Sequence, residues 1–176
     1  MIITAFDPGR TTAYARFDTT RPHTIEIGEL VLLGSGRLLR PCPMHLAEIC
    51  AEVDMAVVEE VGARPKEGAT SAFTFGMVVG TILGALGAQR LPVTMVSPQQ
   101  WKKASRLGAM ERDKAKDAAR HYARELWPEH EAILRVKKNH GLAEAALMAR
   151  WFFLAGPGRD VAIDDDAPVR AVRRAA

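Results

Sequence analysis

The sequence contains little cysteine. Its 176 residues include only Cys42 and Cys50, which are too few and too widely spaced for the disulfide framework of a small secreted domain. Reduced thiols fit a cytosolic protein. With His45 they provide three candidate ligands for a structural zinc ion, but no fourth ligand lies nearby in the chain. We therefore favour simple packing for these three residues.

Long apolar runs and a leader pattern are also missing. No stretch reaches the ~18 consecutive apolar residues of a membrane span, and the first residues lack the basic-then-apolar order of a secretory leader. We expect a cytoplasmic protein with no membrane partner. A chain of 176 residues that is 48% apolar can bury a sizeable core. We predict one domain over residues 1–155, followed by a flexible C-terminal tail over residues 156–176.

The chain carries no large net charge, but its charge is unevenly distributed. The formal total is +3, whereas residues 101–140 contain eleven basic and six acidic residues and so carry +5. A basic segment of this kind is typical of a surface that binds a phosphate backbone. A well-solvated helical surface explains the charge equally well, so charge alone does not decide between the two.

The apolar pattern predicts alternating strands and helices. An apolar run of β-formers, residues 2–6, ends on Asp7 and is followed by the turn pair Pro8-Gly9. Further strands are predicted over residues 12–17, 24–33, 55–58 and 91–96. Helices are predicted over residues 44–53, 71–88, 111–127 and 142–154. A capping box from Ser97 to Gln100 starts a short additional helix that contains Trp101.

Three carboxylates stand where a free acid is costly. Asp7 and Glu59 each end an apolar strand, and Glu144 lies in a helix that is apolar nearly all round. Strand side chains alternate, so only one of Glu59 and Glu60 can face the same side as Asp7. His140 lies one helical turn before Glu144 on the same face.

These residues together suggest a metal site. Carboxylate oxygens are the ligands that Mg²⁺ prefers, and two such ions ~3.5–4 Å apart catalyse phosphodiester hydrolysis in many nucleases. Each residue also has a purely structural explanation, because Asp before Pro-Gly often forms a turn and His often caps a helix. Spacing alone leaves both explanations open.

A stripe of small residues marks the long helix predicted over residues 71–88. Gly76, Gly80 and Gly84 recur every four residues and therefore share one helix face. Such a face lets another backbone approach closely. We slightly favour packing of this face against the sheet over contact with a partner helix across a dimer interface, and both can hold.

The order of elements resembles the RNase H-like fold, and three motifs resemble those of RuvC-type Holliday junction resolvases. The motifs are Ala5-Phe6-Asp7-Pro8-Gly9, Val57-Val58-Glu59-Glu60-Val61 and His140-Gly141-Leu142-Ala143-Glu144-Ala145. The stretches Gly62-Ala63-Arg64-Pro65 and Ser71-Ala72-Phe73-Thr74-Phe75-Gly76 are particularly similar to phage-type RuvC-like members. The resemblance covers residues 2–154. It implies an α/β fold with a mixed central sheet of about five strands flanked by helices.

The resemblance also implies the site residues. It assigns catalysis and metal binding to Asp7, Glu59, Glu144 and His140, with two Mg²⁺ ions per active site and Mn²⁺ as a possible substitute. The chain departs from the family twice. Glu144 stands where the bacterial enzymes usually have Asp, and His140 precedes it by four residues rather than three.

The implied activity is that of a homodimeric endonuclease in DNA recombination and repair. By resemblance, the dimer resolves four-way DNA junctions through paired, metal-dependent hydrolysis, one site per subunit. We expect the following side chains to contact DNA, the basic ones at phosphates and the two aromatic ones at the junction centre: Lys102, Lys103, Arg112, Lys114, Lys116, Lys137, Lys138, Phe73 and Phe75. Core packing is the alternative for at least one of the two phenylalanines.

Three alternatives stay open at this point. The fold does not dictate the substrate, so the chain could cut other branched, hybrid or single-stranded nucleic acids. It could instead be a non-catalytic junction-binding protein, although the intact carboxylates argue against this. The spacing of Asp7, Gly9 and Thr11 also fits the phosphate loop of sugar kinases and actin-like ATPases. That fold closes its nucleotide between two domains, and this chain supplies one.

Overall fold

The computed structural model describes residues 1–9, 11–62, 68–105, 107–108, 110–155 and 173–174. Its main sheet has six strands in the order β3-β2-β1-β6-β7-β8. These are β1 Ile2–Asp7, β2 Ala13–Asp18, β3 Glu26–Glu29, β6 Met55–Glu59, β7 Val93–Val96 and β8 Arg173–Arg174. The first five confirm the predicted sheet. β8 adds a parallel pair at the edge of β7, and the rest of the predicted tail lies outside the described residues.

The sheet is mixed, as predicted. β1, β2 and β3 form an antiparallel meander, while β6 pairs parallel to β1 and β7 pairs parallel to β6. A parallel strand requires a crossover connection, and here α1 connects the meander to β6 while α2 connects β6 to β7. The helices are α1 Pro43–Ile49, α2 Ala69–Ala88, α3 Pro98–Ala104, α4 Arg112–Leu126, α5 Glu131–Leu134 and α6 His140–Ala155.

The predicted third strand, residues 24–33, is too long. The chain leaves the sheet after β3, and Leu32–Leu33 instead forms β4, which pairs with β5, Arg40–Pro41, in a separate two-stranded ribbon. Leu30 is buried and donates its backbone N–H to the carbonyl of Thr12. This bond continues the β2–β3 pairing by one residue, and the backbone of Val31 then bonds elsewhere, with its N–H on His45 and its carbonyl accepting the N–H of Cys42. The main-sheet pairing therefore stops although the apolar pattern continues.

One face of the sheet is covered by α6, α4 and α3. α6 lies against β1 and β2 and is buried on almost every side, from Leu142 to Phe152. α4 packs on α6 through an alanine-rich stripe, in which Ala115, Ala119 and Ala123 are buried. The even burial of α6 explains why its sequence is apolar on all sides.

The other face is covered by α1 and α2. α2 contacts the second apolar cluster through Val78, Ile82 and Leu86, which are its buried residues. The glycine stripe lies on a different side. Among the described residues, no atom outside the helix lies within 4 Å of a Cβ built at Gly76 or Gly80. The preferred packing of this stripe against the sheet is therefore wrong, because spacing defines a face but not what covers it.

The length of α2 also corrects an expectation. With 20 residues and a mean hydropathy of 1.6, α2 is long and apolar enough to cross a membrane. Only 17% of its most apolar 18-residue stretch is buried inside the fold. Composition is weak support for a membrane span, since helices of other proteins pass the same test. α2 also packs on the second apolar cluster through Val78, Ile82 and Leu86. A helix that spans a bilayer would have to leave this cluster.

Candidate active site

Two of the three predicted carboxylates stand side by side at the end of the parallel strands. Phe6 of β1 is in register with Val58 of β6, so Asp7 and Glu59 follow as the next neighbours. In-register residues of parallel strands share a face, and this face also carries Ala5 and Val57, which belong to the core beneath α6. Glu60 lies beyond the strand and is exposed. Of the two adjacent glutamates, Glu59 is thus the one beside Asp7.

The third carboxylate comes from α6, which approaches the end of β1 closely. Glu144 is only 6% exposed. One turn earlier, Gly141 lies so near that an added Cβ would come within 3.0 Å of Asp7 Oδ2. A side chain at position 141 would therefore push against the Asp7 carboxylate, and glycine is what lets this helix and strand meet.

α3 adds two side chains to the carboxylates. Its capping box is formed, with Gln100 Oε1 accepting the backbone N–H of Ser97 at 3.0 Å. The helix then presents Trp101, whose Nε1 donates to Glu59 Oε1 at 2.9 Å. The next residue, Lys102, places its Nζ 3.1 Å from Glu144 Oε1 and 4.9 Å from the centre of the Trp101 ring.

The electrostatics of the site reflect three acids in one place. Burial raises the pKa of Asp7 well above its ordinary value of 3.8, and the nearby charges of Glu59 and Glu144 raise it further. Lys102 and Lys116 act in the opposite direction. Asp7 therefore holds its proton more tightly than an ordinary carboxylic acid does, as long as no stronger cation joins the site.

His140 stands at the edge of this group as the first residue of α6. Burial is the main cause that lowers its pKa, and the charge of Lys116 lowers it further, while Glu144 works against both. A lowered pKa keeps more of the imidazole neutral, which is the form that binds a metal. The Asn139 side chain donates to the carbonyl of Ile133 at 2.9 Å and so ties the start of α6 to α5.

The donor set fits a hard divalent cation in its chemistry. All three acids offer oxygen ligands, and Glu144 Oε1 is a buried oxygen without a hydrogen-bond partner among the described residues. Lys102 is near enough to this oxygen for an ion pair, but it does not approach in hydrogen-bonding geometry. Among the described residues, no three His, Cys, Asp or Glu side chains lie close enough together to coordinate one metal ion as they stand.

The residues predicted to contact DNA lie in three different settings. Lys102 is at the carboxylates, and Lys116 is half-buried and near enough to lower the pKa values of Asp7 and His140. The exposed residues are Lys103, Lys114, Lys137, Lys138 and Phe73, of which Lys114 pairs with Glu111 at 2.9 Å. Phe75 is half-buried, and the side chain of Arg112 lies outside the described residues.

The cysteines and His45 are accounted for by packing. Cys50 is buried in the core beneath α2, and burial raises the pKa of its thiol to about 11. His45 Nδ1 accepts the backbone N–H of Val31 at 3.0 Å. These contacts agree with the preference for packing over a zinc site.

Two features of the site were not foreseen from the sequence. The sequence places Trp101 only in a short helix and predicts Lys102 only as a DNA contact. A signal was present, because α3 starts directly after β7 and its first turn must therefore lie at the sheet edge that carries Asp7 and Glu59. Gly141 was noticed as part of a motif, but its contact with Asp7 spans more than 130 residues and leaves no local trace.

The fold matches that of solved RuvC structures. The chain superposes on Thermus thermophilus RuvC in complex with a Holliday junction substrate with a TM-score of 0.55 and 19% identity, covering 89% of this chain and 97% of that one. A second Thermus thermophilus RuvC structure gives 0.52 and 21% over the same shares. Identities this low establish the fold alone.

A sequence relative points in the same direction. The chain is 40% identical over 88 residues to the chloroplastic Holliday junction resolvase MOC1 of Chlamydomonas reinhardtii. The match covers 49% of this chain but only 10% of that much longer relative. No protein-family model matches the chain. The resemblance to RuvC-type resolvases is supported, while the more specific likeness to phage-type members stays a prediction.

Proposed function

We propose that this protein is a structure-selective DNA endonuclease that resolves four-way junctions by metal-dependent phosphodiester hydrolysis. The observation that carries the proposal is the grouping of Asp7, Glu59 and Glu144 on one face of a RuvC-type fold. A surface acid needs no such support, whereas acids grouped in a desolvated site either keep a proton or are stabilised by cations. The two resolvase likenesses supply the substrate class.

In this proposal, Asp7, Glu59, Glu144 and His140 hold Mg²⁺ or Mn²⁺, two ions per site. Bound ions of this kind activate a water molecule and stabilise the leaving oxygen of a phosphodiester. The protein contributes the position of the ligands. β1 and β6 fix two carboxylates by their register, and α6 brings the third from across the core.

Lys102 and Lys116 are the basic residues suited to the reacting phosphate. Both charges lower the pKa of Asp7. An anionic phosphate bound beside the Asp7 carboxylate would therefore be attracted by the same two lysines. The exposed residues Lys103, Lys137 and Lys138 would bind phosphates further along the DNA, and junction affinity would then fall steeply with salt. Phe73, 51% exposed in the first turns of α2, is the better placed of the two aromatic residues to meet unstacked bases.

Paired cleavage needs two copies of the site. The uncovered glycine face of α2 supports a homodimer, because three glycines at spacing four allow two helices to approach closely. A two-fold assembly then matches the two-fold symmetry of a four-way junction.

The test is cleavage of a synthetic four-way DNA junction with Mg²⁺ by the wild type and by Asp7→Asn. We expect paired symmetric nicks from the wild type and none from the variant, which should still bind the junction. Binding without cleavage in Mg²⁺ or Mn²⁺ would instead identify a structural junction-binding protein. Cleavage of an RNA–DNA hybrid or a single strand, but not of the junction, would contradict the proposed substrate.

A further inference from the structure

The hydrogen bond between Trp101 and Glu59 is a direct link from the core to a site carboxylate. Trp101 is completely buried, and its Nε1 lies 2.9 Å from Glu59 Oε1. An indole N–H can only donate. The bond therefore occupies one side of one carboxylate oxygen and fixes the rotation of the Glu59 carboxylate.

A second tryptophan in the same core shows that this contact is more than the satisfaction of a buried donor. Trp127 belongs to the same apolar cluster and is also fully buried. Its Nε1 has no hydrogen-bond partner among the residues that the structure describes. This core tolerates an unpaired indole, so the pairing of Trp101 with a site acid is a specific arrangement.

The position of Trp101 is itself firmly held. The capping box of Ser97 and Gln100 fixes the start of α3, and the Lys102 ammonium lies over the Trp101 ring while its charge reaches Glu144. Two consecutive residues of one short helix thus contact two of the three carboxylates. A shift of α3 would disturb both together.

We propose that Trp101 is a positioning residue that orients Glu59 for metal binding. The indole holds Oε1 and so keeps the Glu59 carboxylate turned toward Asp7 and Glu144 when an ion arrives. The inference rests on the proposed function, because it assumes that Glu59 is a metal ligand. Partners that orient metal ligands are typically worth 10–100-fold in metal affinity.

The experiment is a Mn²⁺ titration of the full-length protein followed by electron paramagnetic resonance, which reads binding without any cleavage. We expect Trp101→Phe to weaken Mn²⁺ binding 10–100-fold. The matched control, Trp127→Phe, removes the same ring atoms from the same core and should bind Mn²⁺ like the wild type. Equal affinities in the two variants would overturn the inference.

A double-mutant cycle tests whether Trp101 acts through Glu59. If it does, adding Trp101→Phe to Glu59→Gln should weaken Mn²⁺ binding far less than it does in the wild type. Fully additive losses would mean that Trp101 acts on the fold in general. A wild type that binds no Mn²⁺ would remove the inference together with the metal part of the proposed function, whereas equal variants on a Mn²⁺-binding wild type would remove the inference alone.

A measurement on the wild type covers the case in which Trp101→Phe does not fold. The chain has three tryptophans, so its ¹⁵N-labelled spectrum should contain three indole cross-peaks. Added Mg²⁺ should shift the Trp101 peak and leave the Trp127 peak in place. A Trp101 peak that stays put while backbone amides beside Asp7 move would contradict the proposal.

Discussion

The two faces of the sheet are covered by similarly apolar helices, but these helices are buried to different extents. On one face, α6 is buried on nearly all sides under α4 and α3, and the carboxylates stand at the end of this closed layer. On the other face, α2 has three buried residues, Val78, Ile82 and Leu86, and much of the rest is at least partly open. The apolar composition of α6 is explained by the chain itself. That of α2 is not.

This difference separates two functions within one small domain. A closed layer holds charged groups at defined positions, because they cannot relax into water. An open apolar helix is instead suited to contact with a second body. Under the proposed function, chemistry belongs to the α6 face and dimer assembly to the α2 face, and each assignment can be tested by substitutions on one face only.

The largest effect on cleavage is expected at the end of β6. There Glu59 lies in the site, whereas its neighbour Glu60 is exposed outside it. Glu59→Gln should lower junction cleavage by roughly 100-fold or more, equal to about 2.7 kcal/mol in the activation free energy, because it removes a charge beside Asp7. Glu60→Gln makes the same chemical change outside the site and should leave the rate within about twofold. Steady-state cleavage of a labelled junction measures both. Similar losses in the two variants would contradict the assignment of Glu59.

A smaller effect is expected from the opposite face. Gly80→Glu should weaken dimerisation by on the order of tenfold or more, because a long charged side chain would stand between the paired helices. The monomer should tolerate the change, since glycine is the less favourable helix residue by up to about 1 kcal/mol and the space around the Gly80 Cα is open among the described residues. Sedimentation measurements at several concentrations give the dissociation constant.

Gln89→Glu is the control for the added charge. Gln89 directly follows α2, is exposed, and lies away from the glycine stripe. A dimer that survives Gly80→Glu but not Gln89→Glu would move the interface to the end of the helix.

The smallest effect concerns the stability of the metal-free protein. The pKa of Asp7 is raised in the folded state, so between its unfolded value near 3.8 and its folded value the native state binds more protons. Stability then falls as pH rises through this window and stays reduced above it. Asp7→Asn should therefore raise the melting temperature at pH 8 in EDTA by a few degrees, and this gain should vanish toward pH 4.

Asp18 provides a control of opposite sign. Hydrogen bonds from Thr20 lower the pKa of Asp18 to about 2, so its contribution to stability is present above its unfolded pKa and is lost as pH falls toward 2. Asp18→Asn should lower the melting temperature at pH 8. Thermal unfolding followed by circular dichroism across pH 3–8 distinguishes the two cases, and a destabilised Asp7→Asn at pH 8 would show that the acids do not repel one another.

Local patterns predicted most of the fold. The apolar run before Asp7 and the capping box of α3 depend on neighbours within a few residues, and both formed where expected. The predicted third strand is too long because the backbone of Val31 bonds to His45 and Cys42, which lie outside the main sheet. The direction of the glycine stripe was missed for a similar reason, since helical spacing carries no information about neighbouring elements.

The same limit applies to the site. The three carboxylates could be found because an acid in an apolar setting stands out in the sequence. The contact of Trp101 with Glu59 joins residues 42 positions apart, and only the packing of α3 beside β6 creates it. A tryptophan near a lysine is otherwise unremarkable in a sequence.

Under the proposed function, the burial of α6 has a consequence for when the site can act. This helix is at once the centre of the larger core and the carrier of Glu144, and it is the last long helix of the described chain. A nascent or partly melted chain without a seated α6 has two of the three acids and an open core. Such a chain cannot cut DNA under the proposed mechanism, so the folding reaction itself would protect a cell from incomplete copies of this protein.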